Sequence, residues 1–213
     1  MKSGTGFLVI SSDVKPEDET DYLHWLTREH AQERLGIPGF LCVRVFRAEV
    51  AGAARFLIFY RLAEAAVVAS EAYLARLNAP SEWSRRIMPK ISNFVRGGGH
   101  IIHEAGEGEG DGEGMCVAPI PFDAADLERY RAAADQAVAR NRMVAARIFE
   151  VDLAASAVAT KEKAMRQGDS SFSAMLLLEG LDERAVAAAS EALRAGAANG
   201  AGIYRQVFML RNA

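Results

Sequence analysis

The feature that most constrains the fold is the order of predicted elements, which occurs twice along the 213-residue chain. Each half reads strand, helix, strand, strand, helix, strand, because β-rich runs alternate with segments of helical periodicity. The predicted strands are 6–11, 40–48, 55–62, 91–95, 115–120, 144–153, 172–179 and 203–210, and the predicted helices are 16–35, 63–77, 81–88, 124–140 and 182–195. The chain is therefore predicted to contain two units of the same topology.

An acidic, glycine-rich stretch separates the two units. Residues 105–114 (AGEGEGDGEG) cannot bury apolar surface, so we expect a solvated linker between a unit at 1–104 and a unit at 115–213. The segments 44–46 (RVF) and 147–149 (RIF) fall at equivalent points of the two units and support an internal repeat. A polar insert, 160–171, occurs in the second unit and is predicted to be a loop.

The repeated order predicts an α+β fold. With right-handed crossovers, each βαββαβ unit forms a four-stranded antiparallel sheet with both helices on one face, the ferredoxin-like plait. Both sides of the strand at 40–46 carry apolar residues: Leu41, Val43 and Val45 on one side, and Phe40, Cys42, Arg44 and Phe46 on the other. Because the helices cover one face, we expect the two units to pack sheet against sheet.

Composition excludes several classes of function. The net charge of −3 leaves no basic excess for nucleic-acid binding. No apolar stretch reaches the roughly 18 residues of a membrane span, and the N-terminal residues lack a signal-peptide core, so a cytoplasmic protein is expected. Cys42 and Cys116 have no CxxC partner and are predicted to be buried thiols rather than a disulfide or a zinc site.

The richest polar chemistry lies in the stretch 21–40. At 100° per residue one helical face would carry Tyr22, Leu23, Leu26, His30 and Glu33. We predict that His30 is a catalytic base, with Glu33 fixing its tautomer or acting as a base itself. The alternative is structural: a core histidine held by a hydrogen bond, and a glutamate paired with an arginine.

All four histidines and both tryptophans lie in the first unit, which places the predicted site there and leaves the second unit a structural role. The predicted substrate-binding residues are Tyr22, Trp25, Leu26, Tyr60, Trp83 and Arg96. The aromatic residues could equally fill the core, and Arg96 could pair with an acid across the sheets.

No metal site is predicted, because His100 and His103 are three residues apart in a predicted strand and face opposite sides. The glycines at 97–99 precede no helix, so they are interpreted as a bulge or bend at a sheet edge rather than a phosphate loop. No cofactor is predicted. Haem stays open as an alternative, since one axial ligand such as His30 would suffice.

Two tandem plaits resemble the dimeric α/β barrel superfamily, in which two ferredoxin-like units form a barrel with the helices outside. About the first hundred residues resemble its EthD-like branch, through Trp25, Glu29, His30, Glu33, Arg34, the turn 37–40 (IPGF), Tyr73, Trp83, Pro89 and Asn93. The second unit matches only in its order of elements. The resemblance implies a fused version of what is usually a homodimer, with further dimerisation of the fused chain left open.

Members of this superfamily include cofactor-free oxygenases of polyketide aromatics, lactone isomerases and haem-degrading enzymes, so the resemblance implies a pocket more than a reaction. Three hypotheses follow, in order of preference. The first is a cofactor-free oxygenase or isomerase acting on a small hydrophobic or aromatic metabolite. The second is a binding module for such a ligand without turnover, and the third is a haem-binding or haem-degrading protein.

Overall fold

A computed structural model describes residues 5–106, 114–166, 168–194 and 202–212. The strands are β1 Gly6–Val14, β2 Phe40–Val50, β3 Ala53–Leu62, β4 Ser92–Ala105, β5 Cys116–Phe122, β6 Met143–Val151, β7 Ala174–Gly180 and β8 Tyr204–Arg211. The α-helices are α1 Pro16–Trp25, α2 Ala31–Leu35, α3 Glu71–Leu77, α4 Glu82–Ile87, α5 Leu127–Val138, α6 Leu153–Ser156, α7 Lys161–Ala164 and α8 Glu183–Arg194. The predicted linker falls mainly on residues 107–113, which lie outside the described ranges.

The eight strands form one closed antiparallel barrel in the order β1-β3-β2-β8-β5-β7-β6-β4. The first four strands are adjacent in the order β4-β1-β3-β2 and the last four in the order β8-β5-β7-β6. Two seams join these groups, β2 with β8 and β4 with β6. The α+β class is confirmed, and the two groups of strands meet edge to edge as well as across the barrel interior.

Inward-facing side chains from both groups fill the barrel. The apolar interior consists of Phe7, Val9, Phe46, Ala48, Leu57, Phe59, Val117, Phe149, Val151, Met175, Leu177 and Tyr204. Next to it, buried Arg44 donates to Glu179 at 2.6 Å, and Arg147 donates to Glu104 at 2.8 Å. Arg147 also bonds Glu179, so this ion-pair network connects strands of both groups. Paired charges of this kind are the form in which arginine tolerates burial.

Two local predictions for the strands are wrong. The register of β2 shifts between Phe40 and Cys42, so Phe40 packs on the helix side while Leu41 is 37% exposed. The glycines at 97–99 form no sheet edge, because β4 runs through them between β1 and β6. They allow close packing instead: a Cβ on Gly97 would lie 2.7 Å from the ring of Phe172.

The helices cover the outside of the barrel in two layers: the first layer is α1–α4, on the first four strands, and the second layer is α5 and α8, on the last four. The predicted helix 16–35 contains a π-helical turn at Leu26–His30. The predicted helix 63–77 divides into a 3₁₀ turn, Ala65–Ala69, and α3, whose N-terminal N–H groups are capped by Ser70. The insert predicted as a loop contains α7. Within the described ranges, no helix is long and apolar enough to cross a membrane.

Candidate active site

A cavity of about 290 Å³ lies between the first helix layer and the barrel. Its floor comes from β1, β3 and β4: Ile10, Ser12, Ile58, Phe94 and Arg96. Its walls come from the helices and turns of the first half: Tyr22, Trp25, His30, Arg34, Val68, Tyr73, Leu74, Leu77, Met88 and Ile91. Apolar walls with a few polar groups are typical of small-molecule sites.

The π-helical turn decides which side chains reach this cavity. The Ala31 N–H donates to the Leu26 carbonyl, five residues back, so the turn holds one residue more than an α-helical turn. That extra residue places Trp25 and His30 on one face, with ring centroids 4.2 Å apart. Of the predicted face, Tyr22, Leu26 and His30 are buried, whereas Glu33 is half-buried and lies outside the cavity lining. π-helical turns are frequent at functional sites.

His30 is the polar group best placed for chemistry. Its side chain lines the cavity and is 4% exposed, and its Nδ1 is buried without a hydrogen-bond partner among the described residues. Burial, reinforced by the positive charges of Arg34, Arg76 and Arg166, lowers the pKa of His30 well below 6.5. The imidazole is therefore neutral at neutral pH, and one of its two nitrogens can accept a proton.

Glu33 does not line the cavity beside His30. Its carboxylate forms an ion pair with Arg76 on α3, and Glu33 is half-buried outside the cavity lining. This arrangement matches the structural alternative, in which the glutamate pairs with an arginine. The structure shows no hydrogen bond between Glu33 and His30, both of which lie in a described range.

The cavity also has a roof that the sequence did not indicate. The roof segment, residues 153–166 and 168–171, follows β6 and contributes twelve lining residues: Leu153, Ala155, Ser156, Ala157, Val158, Thr160, Glu162, Lys163, Arg166, Asp169, Ser170 and Ser171. It is attached to the first half by backbone bonds, including Ser170 N–H to the Phe94 carbonyl at 2.9 Å. Residues of the second half thus complete a cavity in the first.

Glu162 forms a buried ion pair that joins the roof segment to the first half of the chain. Its carboxylate is 3% exposed, and both oxygens accept from Nη2 of Arg34 at 2.7 Å. Arg34 is 2% exposed, and its Nη1 has no hydrogen-bond partner in the described structure. The one sequence signal for this site is the length of the insert: residues 152–173 separate β6 from β7, whereas β2 and β3 join through a two-residue turn.

Three of the six predicted substrate-binding residues line the cavity: Tyr22, Trp25 and Arg96. Tyr22 lies 3.4 Å from the Ser12 hydroxyl, and burial raises its pKa to about 12. The Trp25 indole N–H donates to Ser84 at 3.1 Å. Arg96 donates to the Tyr73 hydroxyl at 3.5 Å and to the Ser156 carbonyl at 3.4 Å.

The structure does not place the other three residues in the cavity lining. Leu26 is fully buried in the core, and the Trp83 indole N–H donates outside the cavity to Asp21 at 2.9 Å. Tyr60 is fully buried below the cavity, and its hydroxyl has no partner among the described residues. Burial raises the pKa of Tyr60 further than that of Tyr22.

The cavity offers a single histidine among its described lining residues, so His30 alone could act as an axial ligand to a haem iron. Across the described ranges, no group of three His, Cys, Asp or Glu residues is arranged to bind a metal ion. The chemistry that the lining supports directly is proton transfer at His30 and hydrogen bonding from Arg34 and Arg96.

No protein-family model matches the chain, and no curated protein is similar to it by sequence. Solved structures are similar to it in fold. A "Putative monooxygenase" of Fusobacterium nucleatum has a TM-score of 0.56 at 10% identity and aligns over 99% of this chain and 96% of its own. A "Putative monooxygenase" of Lactobacillus acidophilus has a TM-score of 0.51 at 10% identity, over 97% and 96% of the two chains.

A third structure, described as an "anthrone oxidase-like protein", has a TM-score of 0.57 at 12% identity and aligns over 97% of this chain and 93% of its own. At such identities the likeness concerns the fold and not the reaction. The chain has the closed eight-stranded α/β barrel fold of these proteins.

Proposed function

We propose that the cavity binds a small hydrophobic or aromatic metabolite and that His30 removes a proton from it in a cofactor-free oxygenation. The observation that carries this proposal is the neutral, buried His30, which lines a largely apolar cavity and whose Nδ1 has no partner among the described residues. A neutral imidazole has a free lone pair on one ring nitrogen, so it can take a proton from a carbon acid or a phenol. The oxygenase names of the structural neighbours agree with this reaction class.

The reaction would run on a substrate with an activated CH₂ group. His30 takes one proton, leaving a carbanion delocalised over the ring and its carbonyl. This anion reduces O₂ and forms a carbon–oxygen bond, and loss of water from the peroxide leaves a ketone. One CH₂ and one O₂ thus become one C=O and one H₂O, with the substrate oxidised and O₂ reduced.

The test uses anthrone as the probe, because one structural neighbour is described as anthrone oxidase-like. Oxygen consumption and anthraquinone formation are measured with the full chain in the presence of a chelator. His30→Phe should lose about 100-fold or more of the catalysed rate. His24→Phe, on the same helix but outside the cavity lining, should retain it.

Full catalysed activity in His30→Phe would refute the role of His30. Binding of an aromatic probe without any turnover would favour the second hypothesis, a binding module. A Soret shift on haem titration that is lost in His30→Phe would favour the haem hypothesis instead.

We further infer that the chain is a tandem of two ferredoxin-like units, of which the first is of the EthD-like type. The equivalent strand orders of the two halves support the tandem, since each places the first and third strands at the centre of its four. His30, Trp25 and Tyr73 of the EthD-like pattern line the cavity, which agrees with a site shared with that branch.

A further inference from the structure

The positive and negative charges of the cavity lining do not cancel. The described lining contains four cationic side chains and two carboxylates: Arg34, Arg96, Lys163, Arg166, Glu162 and Asp169. Both carboxylates already form ion pairs: Glu162 pairs with Arg34, and Asp169 pairs with Arg166 at 2.9 Å. With His30 neutral, the lining carries a formal charge of +2.

The two remaining cations have no carboxylate partner in the described structure. Arg96 donates only to the Tyr73 hydroxyl and the Ser156 carbonyl, at distances of 3.4–3.5 Å that are long for hydrogen bonds. Lys163 donates to the Ala157 carbonyl at 3.4 Å. The Arg96 guanidinium and the Lys163 ammonium group therefore each keep N–H groups that can donate to a ligand.

Arg34 adds a buried donor to the cavity lining. Its Nη2 donates to both oxygens of Glu162, while Nη1 is buried and lacks a partner among the described residues. The guanidinium carbons of Arg34 and Arg96 each lie 5.9 Å from the centroid of the Tyr73 ring. Both arginines therefore have Tyr73 as a neighbour, which makes the space beside this ring the candidate position for one anionic group.

The rest of the described lining carries no formal charge and is mostly apolar, apart from His30, two tyrosines and several serine and threonine hydroxyl groups. It is formed largely by Ile10, Ile58, Val68, Leu74, Leu77, Met88, Ile91, Phe94 and Leu153. A ligand that satisfies the whole cavity must therefore be apolar over most of its surface and anionic at one end. Carboxylate oxygens match the planar fork of a guanidinium better than other anions of similar size.

We propose that the ligand of this cavity is an apolar, ring-sized carboxylic acid whose carboxylate binds between Arg34 and Arg96. The inference deepens the proposed function, because it assumes that the cavity is a ligand site and specifies the class of ligand. It adds a specificity-determining role for both arginines. The body of the ligand then lies against the Trp25 and His30 rings.

The test compares two probes of the same shape, naphthalene-2-carboxylate and naphthalene-2-carboxamide, by isothermal titration calorimetry at pH 7.5 and low ionic strength. The full chain should bind the carboxylate at least about tenfold more tightly, since a charged hydrogen bond replaces a neutral one. Arg96→Gln should remove most of that preference, because a neutral side-chain amide binds the two probes with similar strength. Arg85→Gln, an exposed position outside the lining, is the matched control and should retain the preference.

Arg34 is tested with the double variant Arg34→Met with Glu162→Leu, which removes both charges of the buried pair and leaves neither alone. Circular dichroism confirms its fold, and its preference for the carboxylate should fall as in Arg96→Gln. Equal affinity of the unmodified chain for both probes would overturn the inference and leave the cavity a ligand site. Failure of both probes and of naphthalene itself to bind would overturn the ligand site, and with it the proposed function.

Discussion

The two helix layers cover equivalent groups of strands but differ in the size of their buried side chains. The first layer buries Tyr22, Trp25, His30, Tyr73 and Met88. The second layer and its strands bury Phe122 and Tyr130 but also six alanines, Ala118, Ala134, Ala137, Ala146, Ala174 and Ala189. Because the spacing of packed elements depends on the side chains between them, alanines favour close packing, and large rings hold helix and sheet apart. The difference shows how one architecture supports both a packed layer and a cavity.

The two layers also differ in how many of their buried polar atoms lack a hydrogen-bond partner. In the described structure, buried side-chain polar atoms without a hydrogen-bond partner belong to His30, Glu33, Arg34, Tyr60 and Arg76 in the first half, and to Arg131 alone in the second. Such atoms are uncommon in native proteins and often mark functional positions. The first layer therefore combines space with unused hydrogen-bonding capacity, as a ligand site requires.

The largest loss of stability is expected at the roof segment, where residues of the second half pack over the first helix layer. Glu162→Ala removes one partner of a buried ion pair and leaves Arg34 charged and unpaired, which should lower the free energy of unfolding by about 3–5 kcal/mol. Urea denaturation measures this change. Glu183→Ala, which breaks the exposed pair with Arg205, is the control and should cost less than about 1 kcal/mol. Equal losses in the two variants would show that the roof contact contributes no more than a surface pair.

An intermediate effect is expected from comparing one substitution in the second layer with one in the roof segment over the first. Ala134→Leu adds three carbons to the packed second layer and should destabilise the chain by about 1–3 kcal/mol. Ala155→Leu adds the same carbons at the cavity lining, where there is room for them, and should change stability by less than about 1 kcal/mol. Thermal unfolding compares the two variants, and equal destabilisation would contradict the distinction between the layers.

The smallest expected effect is on how the free energy of unfolding depends on pH. The pKa of His30 is lowered in the folded chain, so below pH 6.5 the unfolded chain binds a proton that the folded chain does not. Stability should therefore fall as pH decreases below 6.5, by at most about 1.4 kcal/mol per pH unit from this group. His30→Phe should remove that component, so its unfolding free energy between pH 6.5 and 5 should vary less than that of the parent. Parallel curves for the two proteins would show that His30 does not titrate on unfolding.

Much of the fold could be predicted from the sequence, because hydrophobic period and turn residues act locally. The order of strands and helices followed from those patterns, whereas the barrel was expected from the resemblance to the dimeric α/β barrel superfamily. Tyr22, Trp25 and His30 were also found from sequence, since aromatic and imidazole side chains on one helix predict a polar site in an apolar setting. The structure places all three in the cavity lining.

The rest depended on contacts that no local pattern encodes. The π-helical turn at Leu26–His30 changes the face of the helix without any proline or glycine to mark it. Glu162 lies in a polar insert with the composition of a solvated loop, and it becomes buried only because Arg34, 128 positions away in sequence, neutralises it. The register shift at Leu41 is equally invisible to a strict two-residue alternation.

The two seams of the barrel, β2 with β8 and β4 with β6, lie within one polypeptide. Barrel closure is thus a unimolecular event, and its equilibrium does not depend on protein concentration as the assembly of two separate subunits would. The barrel also has no exact two-fold symmetry, because its two halves differ in sequence. In a homodimer every substitution appears in both subunits, whereas here a roof over one cavity can be selected without building a second roof over the other half.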